Sequence, residues 1–266
     1  MTVGALIFAF NNSSIDYVSM AAWSAKNIRR HLNIPTCLVT NSKDVPDVFD
    51  HVVTADPAGT DNRYHHDLDA TVPWYNANRV DAYSLTPWEQ TLVLDADYVV
   101  AGSILKKVLG SPQDFMCHRM AYDIVSISTF DDLNWFGKFR MPMWWATVMM
   151  FRKSNTAHFI FDSMQMIRNN WKHYCNIYGI QKRTYRNDHA LSISLALVSG
   201  HSLQVDHIPW LLPTLVPEHK LTQIDDDAYR VDYTTSEGKK QWMTWDNMDF
   251  HAMGKAHLGE IIANSR

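Results

Sequence analysis

The sequence predicts an α/β fold, a mostly parallel sheet flanked by helices with a less regular C-terminal half. Short apolar runs alternate with segments of helical periodicity through residues 1–100, the pattern of βαβ units. One of those runs, TLVLDADYVV at 91–100, ends in two aspartates one residue apart. Further on, Pro209, Pro213 and Pro217 and long polar stretches break the alternation.

Taken in order, residues 3–10 form an apolar run that reads as a buried strand. Asn11, Asn12, Ser13 and Ser14 make a polar turn able to cap a helix. Over 15–32, Val18, Ala21, Ala22, Ala25, Ile28 and Leu32 recur at helical spacing. Pro35 precedes a second strand at 36–40, and 52–54 supplies a third. The polar segment 59–70 reads as a loop. Its His65-His66-Asp67 is not a metal site, because adjacent strand residues point apart. A helix over 74–85 leads into the strand before Asp95. A short helix at 103–109, a strand at 115–120, an irregular aromatic segment at 123–142 and a strand at 146–151 follow. Helices at 155–171 and 188–198, a short strand at 205–208 and a polar loop or hairpin at 225–240 complete the chain. No repeat, low-complexity tract or linker divides it, so 1–266 reads as one domain.

The apolar fraction of 46% suffices for a sizeable core. Ten Trp, eleven Tyr and eleven Phe supply flat side chains for packing and for stacking on planar ligands. Cys37, Cys117 and Cys175 show no metal-ligand spacing and read as free buried thiols of a reducing cytoplasm. The start, MTVGALIFAF, reads as a first strand rather than a signal peptide, and no window approaches the roughly 20 apolar residues of a membrane span. Net charge is −4, yet the stretch from Lys138 to Arg186 carries +8 and leaves −12 for the rest. Aromatics interleave it, Trp144, Trp145 and Trp171 among them. It predicts either a surface for a polyanionic partner or a solvated helix face whose aromatics belong to the core.

The aspartate pair carries the chemistry. Alternate residues of a strand share a face, so Asp95 and Asp97 are expected to project together from the strand's C-terminal end, where open α/β sheets bind ligands. Two hard carboxylates suit Mg²⁺ or Mn²⁺ shared with a diphosphate.

Several segments together resemble family 8 of the GT-A glycosyltransferases. The N-terminal strand, the Asn-rich turn and a helix bearing Tyr17 look like that family's start. The block Asn78-Arg79-Val80-Asp81-Ala82-Tyr83-Ser84-Leu85-Thr86, running into Leu92-Val93-Leu94-Asp95-Ala96-Asp97, is similar to its helix and Asp-x-Asp strand. His251-Ala252-Met253-Gly254 resembles its His-x-x-Gly. Trp145-Ala146-Thr147-Val148 stands where the family has Asn-Ala-Gly-Val, and Asn187-Asp188-His189 where it has Asp-Gln. The family's later lysine is His257 here, with Lys255 nearby.

The resemblance implies a hexosyl- or pentosyltransferase using a nucleoside-diphosphate sugar, a UDP-sugar first among them, with Mn²⁺ or Mg²⁺ held by Asp95, Asp97 and His251. It implies donor contacts from Asn11, Asn12, Tyr17, Arg79, Ala96, Gly254 and Lys255, and a catalytic role for Asp188 at the sugar's reacting face. Asp188 also reads as an ordinary helix N-terminal acid. Residues 1–100 would form the nucleotide-sugar half, and 101–266 the acceptor half with the C-terminal metal-ligand segment. The basic stretch 138–186 directs the acceptor reading to a hydroxymethylated base, as in modified phage DNA, in a cytoplasm that is the host's if the chain is viral. The alternatives are a surface-polysaccharide or lipid-linked saccharide acceptor, and a non-catalytic nucleic-acid-binding protein on a degenerate transferase fold. A nucleotidyltransferase is disfavoured by the His-x-x-Gly tail.

Overall fold

The structure, a computed structural model, describes the chain except residues 59–61, 66–68, 76, 128–133, 182–183, 203–204 and 266. β1 (Val3–Phe8) crosses through α1 (Tyr17–Leu32) to β2 (Thr36–Thr40), and β3 (His51–Thr54) follows; all three strands are parallel. α1 begins at Asp16, whose carboxylate accepts the Ser19 N–H, and ends at Asn33 with φ 56°.

Within the loop expected over 59–70, Asn62–His65 is instead strand β4, paired antiparallel with β5 (Ala70–Pro73); residues 59–61 and 66–68, with His66 and Asp67, lie outside the described residues. The helix expected over 74–85 shrinks to a 3₁₀ turn, Ala77–Asp81, and α2 (Ala82–Leu85). β5 takes the chain up to Pro73, and Trp74 and Tyr75 then turn into a cleft.

β6 (Gln90–Leu94) pairs parallel with β1 on the side away from β2. The two-residue β7 (Tyr98–Val99), α3 (Leu105–Leu109), β8 (Phe115–His118) and β9 (Ala121–Asp123) follow. β10 (Trp135–Phe136) and β11 (Met141–Pro142) make a short hairpin in the aromatic segment. β12 (Trp145–Arg152) lies antiparallel between β6 and β8. The main sheet therefore has the order β3-β2-β1-β6-β12-β8, parallel except for β12: a Rossmann-like GT-A arrangement. Buried side chains fill β1, β2, β6 and β12 on both faces, which is why these strands read as unbroken apolar runs.

α4 (Asn155–Asn169) starts at Ser154, whose hydroxyl accepts the Ala157 N–H, and buries Ala157, Ile160, Phe161, Met164 and Ile167. The single helix expected over 155–171 breaks at Asn170 (φ −117°, ψ 30°), and α5 (Trp171–Tyr178) begins anew. α6 (Asn187–Val198) packs on α4 and β12.

The strand expected at 205–208 does not form; β13 (Leu212–Leu215) takes its place and runs through Pro213. Leu212 donates to Met120 and Thr214 accepts from Ile124, so Pro213 faces the opposite edge, where pairing starts only with Thr214 opposite His251. The polar segment at 225–240 belongs to a three-stranded antiparallel sheet of β14 (Lys220–Asp225), β15 (Ala228–Thr234) and β16 (Lys240–Asp246). That sheet buries Leu221, Tyr229, Val231 and Trp245. β17 (Phe250–Ala252) and α7 (Lys255–Asn264) close the chain. A second sheet, β7-β17-β13-β9, thus gathers four short strands from distant parts of the sequence.

Candidate active site

Strand order turns between β1 and β6: the chain passes from β1 outward to β2 and β3, then returns to β6 on β1's other side. Crevices open at the carboxyl ends of strands at such a point. A cleft of about 260 Å³ lies there, with Phe8 and Phe10 at the end of β1, Asp95, Ala96 and Asp97 after β6, and Trp145 and Thr147 on β12. Tyr17, Trp74 and Tyr75 add aromatic wall.

The two aspartates converge, but not through strand alternation. β6 ends at Leu94, and Asp95–Asp97 form a turn closed by the Tyr98 N–H donating to the Asp95 carbonyl at 3.0 Å. The chain continues as β7, which pairs antiparallel with β17, placing His251 opposite Tyr98. The Ala252 N–H donates to the Asp97 carbonyl at 3.0 Å and fixes that register. Ligand atoms of Asp95, Asp97 and His251 consequently lie within 4.8 Å of one another. His251 Nε2 is 3.5 Å from Asp97 Oδ2. Two carboxylates and one imidazole fit a divalent ion of the Mn²⁺ or Mg²⁺ type.

Each carboxylate already meets a cation. Asp95 pairs with the buried Arg79, and Asp97 with Lys255, whose ammonium also donates to the Ala252 and Met253 carbonyls. Burial alone would raise the Asp97 pKa, but Lys255 and His251 outweigh it and hold the carboxyl well below the usual range. Burial lowers Arg79 to about 10, opposed by Asp188 and Asp97. Arg79 Nη1 donates to the Ala146 carbonyl at 2.8 Å. It therefore ties Asp95 to β12, while its Nε finds no hydrogen-bond partner among the described residues.

Asp188 occupies the first turn of α6 but caps nothing. Its Oδ1 reaches across to accept the Ala146 N–H at 3.0 Å, and its Oδ2 accepts from Arg186 at 2.9 Å. The pairing of β12 with β8 is irregular between Trp145 and Met149, which leaves Ala146 to bond Asp188 on its N–H and Arg79 on its carbonyl. Burial pushes Asp188 up, yet Arg186 and the Ala146 N–H outweigh this and bring it to about 2.

Other expected site residues stand apart. Asn11 accepts the Val18 N–H and donates to Asp16; Asn12 accepts the Ser14 and Ile15 N–H groups and donates to Pro73. Both side chains are used in the turn that starts α1, and neither lines the cleft. Gly254 is the N-cap of α7, and His257 faces Glu260. Arg186, Trp74 and Tyr75 line the cleft without having been singled out. The Arg186-x-Asp188 spacing was the available signal for the first.

The basic stretch does not form one surface. Arg152 and Lys153 lie at the far end of the sheet from the cleft, Arg152 opposite Gln90 at the start of β6. Arg168 pairs with Asp81, and Arg186 with Asp188. Lys182 and Arg183 lie outside the described residues. Trp144 and Trp145 are 4% and 2% exposed, so of the two readings of the aromatics in this stretch the core one holds for them, and the acceptor-stacking one does not. Trp171 is half-buried against Tyr185 and His189. All three cysteines are buried and form no disulfide, and no helix among the described residues is long and apolar enough to cross a membrane.

No protein-family model matches the chain, and no curated protein matches it. Solved structures similar to it include the glycosyltransferase GlyE of Streptococcus pneumoniae TIGR4 (12% identity, TM-score 0.43, 79% of this chain). This chain spans 46% of the GlyE chain, about half its length. The galactosyltransferase LgtC with donor and acceptor sugar analogues is similar at 10% identity over 72% of this chain and 70% of that one, TM-score 0.45. A putative glucose-1-phosphate thymidylyltransferase from Bacillus anthracis is similar at 7% identity over 100% and 96%, TM-score 0.46. What the site can do is read from its own geometry.

Proposed function

We propose that this chain is a metal-dependent glycosyltransferase moving a hexosyl or pentosyl group from a nucleoside-diphosphate sugar, UDP-linked first among them, to a hydroxyl of a saccharide, free or lipid-linked. The convergence of Asp95, Asp97 and His251 beside Lys255 in the cleft carries this reading. Asp95, Asp97 and His251 would hold Mn²⁺ or Mg²⁺, which when bound supplies Lewis-acid stabilisation of the departing diphosphate. Lys255 is placed to donate to phosphate oxygens. Tyr17 offers a flat wall for the base, and Arg79, which lines the cleft, positions Asp95 and is placed to contact the donor. Residues 1–100 would serve the donor, and 101–266 the acceptor together with the C-terminal segment that brings His251 and Lys255 to the donor diphosphate.

Asp188 stays ionised far below neutral pH, with Ala146 and Arg186 donating to it. So weak a base is a poor proton acceptor. It serves as a fixed negative charge beside the sugar's reacting carbon, favouring oxocarbenium character there. The scattered bases and the buried Trp144 and Trp145 favour a saccharide over a nucleic-acid acceptor. Calorimetric titration with UDP tests the reading: binding is expected with Mn²⁺ and lost in EDTA. Equally tight binding in EDTA would refute the metal–diphosphate site.

A further inference from the structure

We infer that the β10–β11 hairpin and its surroundings form a docking surface for an anionic lipid bilayer. At its tip Phe139 is 65% exposed, and Trp135 on β10 is 39% exposed. Large exposed apolar side chains grouped at one edge mark an interaction site. The Trp135 ring sits 5.2 Å from the Arg119 guanidinium and 5.6 Å from that of Arg140, while Lys138 lies 5.9 Å from the Phe139 ring. None of these three cations pairs with an acid among the described residues; Asp131 and Asp132 lie outside them. The apolar rim continues beyond Arg119: Met120 and Leu211 are both exposed, and the Met120 carbonyl accepts the N–H of the residue after Leu211.

The tip is held in one shape. The Lys138 N–H donates to the Tyr178 carbonyl at 2.8 Å, and Gly137, at φ +69°, approaches that carbonyl so closely that a Cβ would lie 2.2 Å from it. On its inner side Phe136 stacks on His189, centroids 4.5 Å apart, next to Asp188. The hairpin therefore borders the Asp188 side of the cleft.

Aromatic and aliphatic tips among Arg and Lys that meet no acid among the described residues are the chemistry of the lipid headgroup region, where rings sit at the interface and cations meet phosphates. Nucleic acid fits less well, because the Trp135 ring is already engaged by two guanidiniums and is not a free stacking face. The contrasting surface is that of β16: Trp242 is 59% exposed there, but the Arg230 over its ring is paired with Asp232, and Lys220 and Lys240 on that sheet are balanced by Asp225 and Asp246, so it offers no net positive charge to an anionic membrane. Docked by the hairpin, the cleft would meet saccharides carried on lipid phosphates at headgroup level; that last step alone rests on the proposed transferase reading.

Vesicle sedimentation tests the surface. At low salt the protein is expected to sediment with phosphatidylcholine vesicles containing phosphatidylglycerol, and not with phosphatidylcholine alone. Lys138→Glu combined with Phe139→Ser is expected to weaken this by about tenfold or more, and Trp242→Ser to leave it unchanged. Manganese-dependent UDP binding by the same variants reports that the fold and cleft are intact. No sedimentation of the wild type with anionic vesicles, or an unaltered double variant, overturns the proposal. Retardation of duplex DNA without vesicle binding overturns it in favour of a nucleic-acid surface. If vesicle binding holds while UDP fails to bind, the donor reading falls and the docking surface stands.

Discussion

Asp97 and Asp188 face the same cleft, yet the chain holds them in different ways. Asp97 sits on a two-sheet seam: its turn follows the main sheet, and its neighbours His251 and Lys255 come from the C-terminal segment through β7–β17 pairing. Asp188 is locked by a helix start and a strand irregularity, between the Ala146 N–H and Arg186. Both stay ionised, but Asp97 keeps its charge against side-chain partners able to exchange for an ion, whereas a backbone N–H fixes Asp188. The first arrangement suits ligand exchange and the second a permanent charge. Arg79 joins them, with Asp95 at one end and the Ala146 carbonyl at the other.

Removing Asp97 should separate the two walls most sharply. Asp97→Ala is expected to abolish manganese-dependent UDP binding and lower turnover by about a thousandfold or more. Calorimetry and donor-hydrolysis assays read both effects. Retained metal dependence would mean that the seam is structural. On the other wall, Asp188→Asn is expected to leave UDP affinity unchanged and lower kcat by about a hundredfold. The amide keeps an acceptor for the Ala146 N–H, so the fold should hold. Near-normal turnover would show that the fixed charge has no part in the reaction.

The smallest effect concerns the support of the seam rather than its ligands. Asp249 accepts the Ala101 and Gly102 N–H groups, and its burial raises it to about 7, against those hydrogen bonds. The folded protein then binds this proton more tightly than the unfolded chain does. Its contribution to stability is full below about pH 4 and is lost as pH rises to about 7. Asp249→Asn, which keeps the acceptor oxygen, is expected to flatten that decline and to raise the denaturation midpoint at neutral pH. Identical denaturation profiles for the two proteins from acid to neutral pH would place the titration elsewhere.

Regions legible in the sequence share a property. β1, β2, β6 and β12 are buried on both faces, so their own composition announces them. α1 and α4 carry their caps, Asp16 and Ser154, and their apolar stripes within a few turns. Misread regions depend on something distant. The β4–β5 hairpin lies in a polar stretch where no alternation marks strands. Asn12 looked available for a ligand, but its amide donates to the Pro73 carbonyl at the end of β5. For Trp144 and Trp145 the sequence left a stacking platform and core packing both open, and only their burial at the head of β12 decides for the core.

By itself the sequence determined the parallel sheet, its flanking helices and the place of the Asp95–Asp97 pair just past a central strand. Those features follow from local periodicity and burial, which each segment carries in its own residues. Only the tertiary structure decided that His251 arrives beside Asp97, that Asp188 turns from its helix toward Ala146, and which cations face the cleft. Each depends on backbone hydrogen bonds between segments far apart in the chain. Any residue but proline can donate such a bond, so no side-chain pattern announces it.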